Sequence, residues 1–401
     1  MPRYNGGFIG HDGLDAPDAP SIDSVTPDNA SIAVAFTAGT AGTTATTGFV
    51  AQVSTDGTDY SGGSATGSSS PITVSSLTNG TAYTAKVWAV NAHGTSEPSA
   101  ASSSATPFSS LGIVAGGDDS FGGTNIIEYF TITSTGNATD WGNLLSSGES
   151  FTGGGNATRA IFTGNSSNVM QYITYATEGD AVDFGDASRA VGYVGGTSSA
   201  SNTTRMVFVD HSFSSSDDQY GYVTIASTGN ATDFGDQIRA KNQLGGMASS
   251  SGRGVFSGGR VSGAGGYYDE IEYITIASTG NGQDFGDLSA ARAKLASCSS
   301  ATRGVIGGGT TASARVNILE YVTMGSTGNT TDFGDLTSAT EDLTAFSSSV
   351  RGCWAGGTSS GKTNTVEYVT IASTGNASDF GDQSGVRQQH AGTSNVHGGL
   401  Q

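Results

Sequence analysis

The feature that most constrains this chain is an internal repeat that runs from about residue 108 to the C-terminus. Its central tyrosines recur at intervals of 43 to 51 residues. Each unit reads in one order: a strand of small residues, an arginine before a glycine-ended strand, a strand with the tyrosine, a turn, and a short strand with an aromatic residue. A unit of this kind buries its strands only against its neighbours, so the copies must pack side by side. The tyrosines are Tyr129, Tyr172, Tyr222, Tyr273, Tyr321 and Tyr368.

The last strand of the repeat contains Asp-Phe-Gly in five units, a triplet that holds magnesium in protein kinases. A kinase also needs a Gly-rich phosphate loop, a lysine on the third strand and a catalytic-loop aspartate, and none of these accompanies any copy. The sequence therefore predicts that the aromatic residues at this phase pack between neighbouring units. They are Trp141, Phe184, Phe234, Phe285, Phe333 and Phe380.

Residues 17–107 show a different pattern of short strands with alternating apolar residues and regular turns, which indicates an antiparallel sandwich. The stretch from Ser75 to Ala100 resembles the second half of a fibronectin type III domain, with Leu77 and Tyr83 set as in its tyrosine corner. Phe36 stands where that family usually has tryptophan. The resemblance implies a module that spaces and orients other domains.

The strand order of the repeat resembles the kelch repeat of β-propellers, in which a glycine pair follows the second strand. The pairs are assigned to 116–117, 258–259, 307–308 and 356–357, and the second and third units depart from the pattern. The resemblance implies an all-β chain, with a fibronectin type III-like sandwich followed by a kelch-like β-propeller over 108–401. Six blades are expected and seven are the alternative, because residues 391–401 read as a further copy of the first two strands. These spare strands are expected to close the ring or to cap its edge.

Five of the 16 basic residues stand at one phase of the repeat, just before the glycine-ended strand. An arginine in phase with an aspartate can form the same bidentate pair at every junction, so we expect structural ion pairs. A ring of arginines that binds an anion is the alternative, which the net charge disfavours. The five residues are Arg159, Arg205, Arg253, Arg303 and Arg351.

No motif for a metal, a cofactor or catalysis stands out. Aspartates beside the repeated aromatic, such as Asp233 and Asp236, could supply oxygen ligands to calcium, which is the alternative to our expectation of no cofactor. Cys298 and Cys353 are expected to be free core residues. We expect a protein that is not an enzyme, although a glycosidase carboxylate pair has no recognisable spacing in a sequence.

Composition limits the partners. The chain has 35 acidic and 16 basic residues, a formal charge of −19, so a nucleic acid would be repelled. No stretch approaches eighteen apolar residues and no secretory signal opens the sequence, so we expect synthesis in a cytoplasm without membrane insertion. Residues 1–16 form a Gly- and Asp-rich arm, either a frayed terminus or an anchor on a larger assembly.

The Glu-Tyr strand followed by Ser-Thr-Gly-Asn and Asp-Phe-Gly-Asp resembles the kelch-like repeats of virion structural proteins of tailed bacteriophages, especially marine ones. The stretch "RYNGGFIG" after Pro2 is similar to the opening of such proteins. The resemblance implies a component of the tail or capsid surface that is assembled in the host cytoplasm with other virion proteins as partners.

We therefore expect a tail fibre or tail-associated adhesin, present as a homo-oligomer, whose loops bind a glycan or protein of the host surface. A decoration or knob protein of capsid or tail is the first alternative, and a polysaccharide hydrolase is the second. Aromatic residues assigned outside the repeat phase are the candidate ligand contacts, namely Tyr175, Phe213, Tyr267 and Tyr268.

Overall fold

The fold comes from a computed structural model that describes residues 15–192, 195–211, 218–248, 252–261 and 266–400. The predicted N-terminal arm lies outside these residues except for its last two. The chain divides into two compact units, one up to Ser110 and one from Leu111 onward. The described residues are β-strands and turns apart from one short 3₁₀ helix, so the all-β prediction is confirmed.

The first unit consists of two antiparallel sheets. One has the strand order β1-β2-β5 and the other has the order β4-β3-β6-β7. Alternate residues of each strand face a common core, as the period of a half-buried strand requires. The strands are β1 (Ser21–Asp28), β2 (Ser31–Thr37), β3 (Gly48–Ser54), β4 (Gly63–Gly67), β5 (Ile72–Ser75), β6 (Thr84–Asn91) and β7 (Gly94–Thr95).

Two local features of this unit match its sequence. The hydroxyl of Tyr83 accepts a hydrogen bond from the backbone N of Thr78 at 3.2 Å, which ties the turn before β6 to the core. Phe36 is buried and packs against Phe49 at 4.7 Å between ring centroids. Phe36 therefore is a core residue at the place where the resembled family usually has tryptophan.

The second unit contains six antiparallel sheets, and five of them are complete four-stranded meanders in chain order. Sheet 1 begins with β8 (Leu111–Ala115), β9 (Asp118–Asp119), β10 (Gly122–Thr131) and β11 (Thr139–Gly148). Sheet 2 has β12 (Phe151–Gly155), β13 (Arg159–Gly164), β14 (Ser167–Thr174) and β15 (Val182–Val191). Sheet 3 has β16 (Ser199–Ser201), β17 (Arg205–Val209), β18 (Gln219–Thr224) and β19 (Thr232–Asp236).

Sheets 4 to 6 repeat this arrangement with nearly constant strand lengths. Sheet 4 has β20 (Gly245–Ala248), β21 (Arg253–Ser257), β22 (Glu270–Thr275) and β23 (Gln283–Asp287). Sheet 5 has β24 (Ala296–Ser299), β25 (Arg303–Gly307), β26 (Ile318–Thr323) and β27 (Thr331–Asp335). Sheet 6 has β28 (Thr344–Ser347), β29 (Arg351–Ala355), β30 (Thr365–Thr370) and β31 (Ser378–Asp382), and the last elements are β32 (Ala391–Ser394) and the 3₁₀ helix Gly398–Leu400.

The final strand completes the first sheet. β32 pairs with β8 in antiparallel register, so that sheet 1 has the order β11-β10-β8-β32. The innermost strands then contact one another in the cyclic order β32, β12, β16, β20, β24, β28 and back to β32. The C-terminal segment therefore contributes one strand to the first sheet, and the contacts of the innermost strands form a ring. The second strand predicted for this segment is the 3₁₀ helix, because Gly398 and Gly399 turn the chain across the axis against the carbonyls of Ser300 and Ser201.

Burial follows the position of each strand in its sheet. Every residue of the innermost strands is buried, whereas only the aromatic residue of a typical outermost strand is buried. Small side chains fit the crowded centre and large ones fill the wider outer gap. The glycine pair after the second strand adopts positive φ in sheet 6, with 61° at Gly356 and 94° at Gly357. In sheet 5 the corresponding pair is 308–309, one residue later than predicted.

Candidate functional site

The axis of the ring holds a small cavity of about 40 Å³, lined by the innermost strands. A ligand pocket is typically about 300–1,000 Å³, whereas one ordered water needs about 10–15 Å³, so this cavity has room for water molecules only. At one end Gly196, which precedes sheet 3, approaches sheet 1, where its carbonyl accepts a bond from Gly392 N at 3.1 Å. At the other end the 3₁₀ helix lies against Ala248 and Ser300.

Serine hydroxyls connect the innermost strands next to this cavity. Ser394 donates to the carbonyl of Ser347 at 2.6 Å, and Ser347 donates to the carbonyl of Ser299 at 2.8 Å. Ser299 in turn donates to the carbonyl of Ala248 at 2.6 Å. Each bond crosses from one sheet to the preceding one. The serines of the innermost strands therefore connect neighbouring sheets, in addition to fitting the crowded centre.

The repeated turn and the aromatic strand form a second connection between sheets, which we call the latch. In sheet 4, Gly280 N donates to the carbonyl of Phe234 in sheet 3 at 2.8 Å. The side-chain oxygen of Asn281 accepts a bond from the backbone N of Asp236 at 3.1 Å. Gly282 N then donates to the carbonyl of Asp236 at 2.7 Å. The Ser-Thr-Gly-Asn turn thus acts as an additional edge partner for the Asp-Phe-Gly-Asp strand of the preceding sheet.

The latch also joins the two ends of the repeat region. Gly136 N of sheet 1 donates to the carbonyl of Phe380 of sheet 6 at 2.8 Å, and the Asn137 side chain accepts from Asp382 N at 3.0 Å. The glycine of Asp-Phe-Gly makes room for the incoming turn, since a Cβ at Gly381 would lie 2.4 Å from the Gly136 oxygen. The repeated triplet is therefore a junction between sheets.

The six repeat aromatics lie in these junctions. Trp141, Phe184, Phe234, Phe285, Phe333 and Phe380 are all buried. Each ring packs edge-on against the tyrosine of its own third strand, with centroids 5.5 to 6.1 Å apart. Phe285, for example, shares a cluster with Ile306 and Val322 of the following sheet. The rings fill the wide outer part of the gap between sheets.

The five in-phase arginines have a different partner from the one predicted. Their guanidinium carbons lie 4.4 to 4.8 Å from the ring centroids of the repeated tyrosines. Arg303 also donates from Nη1 to the carbonyl of Ile371 in the next sheet at 2.9 Å. Arg351 does the same to Ile132 at 2.9 Å, across the closure of the ring.

The predicted ion pairs of Arg159, Arg205, Arg253, Arg303 and Arg351 are therefore replaced by cation–π stacking and bonds to backbone carbonyls. The reason is geometric: aspartates of the outer strand such as Asp233 and Asp236 point to solvent, while the tyrosine face lies directly beside the arginine. A planar guanidinium satisfies both the ring and the carbonyl at once.

Ion pairs between sheets do occur, at a place that the sequence analysis missed. Glu320 on β26 lies 3.0 Å from Nη2 of Arg292, which follows the last strand of sheet 4. Glu128 on β10 pairs in the same way with Arg387, which follows the last strand of sheet 6. The signal was the acidic residue before the repeated tyrosine together with a basic residue five positions after Asp-Phe-Gly-Asp. That basic residue is Lys241, Arg292 or Arg387, and Thr340 stands at the same position after β27.

Burial governs the ionisation of these groups. It lowers the pKa of Arg387 to about 10 and also lowers the pKa of Arg292, which the charge of Glu320 partly offsets. Burial raises the pKa of Glu272, and the nearby Lys241 ammonium opposes this. A charge in such a site is stable only with its partner, so these residues have a structural role in the junctions.

The two ends of the ring differ in regularity. The connections between third and fourth strands have one length in all sheets: 132–138, 175–181, 225–231, 276–282, 324–330 and 371–377. At the opposite end the connections between second and third strands range from two residues, 165–166, to 258–269. One end is thus uniform and the other is variable, and we call the latter the variable end.

The candidate ligand contacts fall into three groups. Tyr175 packs against Trp141 with a centroid distance of 6.4 Å, and its hydroxyl is buried, which raises its pKa. It therefore belongs to the packing between sheets. Tyr267 and Tyr268 are half-buried at the variable end, where the Arg239 guanidinium lies 4.7 Å from the Tyr268 ring. Phe213 lies outside the described residues.

Charged side chains converge at the variable end where sheets 1 and 6 meet. Lys362 Nζ lies 2.7 Å from Asp118 Oδ2, and the Gln388 amide donates to the same oxygen at 2.9 Å. Between sheets 5 and 6, Lys294 Nζ lies 2.8 Å from Asp342 Oδ2. Glu149 is exposed beside this network, and burial of part of its carboxyl together with the charge of Asp118 raises its pKa.

Within the described ranges, no group of three or more His, Cys, Asp or Glu side chains is placed to hold a metal ion. The aspartates considered as calcium ligands lie beside the latch. Each of them points to solvent by itself. Cys298 and Cys353 are free and buried.

No protein-family model matches the chain, and no curated protein matches it either. In the part of the chain with described coordinates, no helix has the length and apolar character needed to cross a membrane.

Proposed function

We propose that the second unit is a six-bladed, kelch-like β-propeller and that the first unit is a fibronectin type III-like sandwich. The cyclic contacts of the innermost strands and the pairing of β32 with β8 support the propeller. The division of seven strands into sheets of three and four, with the Tyr83–Thr78 bond, supports the sandwich.

We further propose that the chain is a non-enzymatic structural protein of a tailed-bacteriophage virion, a tail fibre or tail-associated adhesin that binds the host surface. The observation that carries the binding role is the contrast between the uniform and variable ends of the ring. Loops of differing length on a rigid frame are the usual means by which a fold presents a binding surface. The virion assignment rests on the sequence resemblance of the repeat.

The frame has the rigidity that such a role needs. Serine bonds join the innermost strands, aromatic packing and ion pairs join the middle of the sheets, and the latch joins their outer edges. Each sheet therefore contacts its neighbour over its full width. In this proposal the sandwich acts as a spacer, the chains form a homo-oligomer, and other virion proteins hold the assembly on the particle.

Electron microscopy of phage particles with a labelled antibody against this chain tests the proposal. We expect label on the tail, and loss of adsorption in particles that lack the protein. Label on the capsid with normal adsorption would instead support a decoration protein. Release of reducing sugar from host envelopes by the purified chain would support a polysaccharide hydrolase, and particles without label would contradict the virion role.

A further inference from the structure

A hairpin at the variable end exposes an aromatic ring. Phe121 lies at the tip between β9 and β10, and 99% of its surface is exposed. Among the described large apolar side chains the next most exposed is Val350 at 55%. The Phe121 side chain contributes nothing to the core, and both faces of its ring are accessible to a ligand.

The hairpin is held in place by polar contacts. Asp118 and Gln388 exchange two backbone hydrogen bonds of 2.9 and 3.1 Å, which fix the base of the hairpin to the segment that leads into β32. Lys362 lies 2.7 Å from the Asp118 carboxylate, and Phe121 N donates to Asp119 Oδ1 at 2.6 Å. The exposed ring is therefore carried on a braced support rather than on a free loop, which reduces the entropy lost on binding.

The surroundings of this ring indicate the kind of ligand. Gly117 N donates to the carbonyl of Gly148 at 2.9 Å, which brings the neighbouring Glu149 to the foot of the hairpin. Carboxylate and amide groups of Asp118, Gln388 and Glu149 thus lie around the base. A protein-binding hot spot is centred in an apolar patch. A sugar ring, by contrast, offers a C–H face for an aromatic ring and a rim of hydroxyls for polar groups.

We infer that Phe121, with Asp118, Gln388 and Glu149, forms a binding site for one unit of an uncharged saccharide. The sugar face packs on the Phe121 ring, and its hydroxyls donate to the carboxylates and accept from the Gln388 amide. The chain charge of −19 disfavours an acidic saccharide at this surface. This inference rests on the proposed function as a host-surface binder and specifies its ligand class.

Binding of the full chain to an array of neutral and acidic oligosaccharides, followed by calorimetric titration with the bound neutral oligosaccharides, tests the site. Phe121→Ala should raise the Kd at least tenfold without changing the Tm, because the side chain has no core contacts. Phe121→Tyr should retain binding, and so should the control Val350→Ala, an exposed residue at the uniform end. Glu149→Gln should weaken binding with no change in fold.

Absence of binding to every neutral saccharide, preference for acidic ones, or equal Kd values for wild type and Phe121→Ala would overturn the site. Failure of the saccharide site can be distinguished from failure of the proposed virion role. Labelled particles whose adsorption is unaffected by Phe121→Ala would keep the adhesin and reject the site. Particles without label, together with a saccharide affinity that depends on Phe121, would keep the site and reject the virion role.

Discussion

At the scale of single residues, the junction between sheets 6 and 1 contains a polar pair where the two preceding junctions have leucines. Gln383 and His390 face Gly356, as Leu336 and Leu343 face Gly308 in the preceding junction. Nε2 of His390 accepts from the Gln383 amide at 3.0 Å, and the imidazole is fully buried. Burial and the charge of Arg387 lower the pKa of His390 to about 3.

This pair makes stability depend on pH. Between pH 6.5, the usual pKa of histidine, and pH 3, the unfolded chain binds a proton at His390 that the folded chain does not. The free energy of unfolding therefore falls as the pH falls through this window, by about 1.4 kcal/mol per unit. Replacing the pair by leucines, Gln383→Leu with His390→Leu, should reduce the loss between pH 7 and pH 5 by about 2 kcal/mol.

Urea denaturation of the wild type and the double variant at both pH values measures this difference. The carboxylates titrate equally in the two proteins, so their contribution cancels. An unchanged pH dependence in the double variant would mean that His390 is already protonated or exposed in the folded state.

A second residue-scale prediction concerns the repeat aromatics. Phe285→Ala should lower the free energy of unfolding by about 3 to 5 kcal/mol, because it leaves a cavity between sheets 4 and 5 next to Ile306 and Val322. Thermal or chemical denaturation checks the value, with the exposed Phe121→Ala as control. Equal stability of the two variants would show that the Phe285 ring does not lie in the junction.

At the scale of elements, the latch explains why Asp-Phe-Gly recurs. A Cβ at Gly286 would lie 2.4 Å from the carbonyl group of Gly328, and φ at Gly286 is 148°. The turn residue Gly280 has no atom within 4 Å of such a Cβ. The two glycines belong to the same repeated motif, but only Gly286 is needed to let the turn of the next sheet approach closely.

Gly286→Ala should therefore destabilise the chain by about 1 to 3 kcal/mol, whereas Gly280→Ala should change stability by less than about 0.5 kcal/mol. Differential scanning calorimetry of both variants is the measurement. If both lost the same amount, the latch would not be the reason for the glycine.

The positions of the strands were predictable from the sequence because they depend on local patterns. The contact partners of individual side chains were less predictable. The period of the tyrosines located all six sheets, and the aromatic phase located the junctions. The partner of Arg303 was ambiguous, since an aspartate and a tyrosine both recur in phase with it. Tyr175 could have been assigned to the packing from the sequence, because it occupies the phase of Ile225 and Ile276.

The remaining contacts lie beyond sequence periodicity. The latch pairs backbone groups of one unit with those of the preceding unit. Its glycine and asparagine recur in the sequence, but this recurrence does not identify the groups with which they pair. The braced hairpin with Phe121 depends on Gln388, which is more than two hundred residues away along the chain. Only the fold brings these residues together.

At the scale of the whole molecule, closure of the ring joins the chain ends of the second unit. Sheet 6 and sheet 1 are connected by β32, by the latch at Gly136, and by Arg351 and Arg387. Loss of any one of these leaves the others, so closure should survive single substitutions.

The most direct measurement of closure is a cross-link between the start of the repeat region and its C-terminal segment in the variant Asp118→Cys with Gln388→Cys. These residues exchange both backbone hydrogen bonds, a pairing with a Cα separation of about 5.5 Å, which suits a disulfide. Cys298 and Cys353 should not compete, because burial raises the pKa of both thiols. Mass spectrometry of the oxidised protein should find the 118–388 disulfide within one chain in nearly every molecule, whereas free thiols or cross-links between chains would contradict a closed ring.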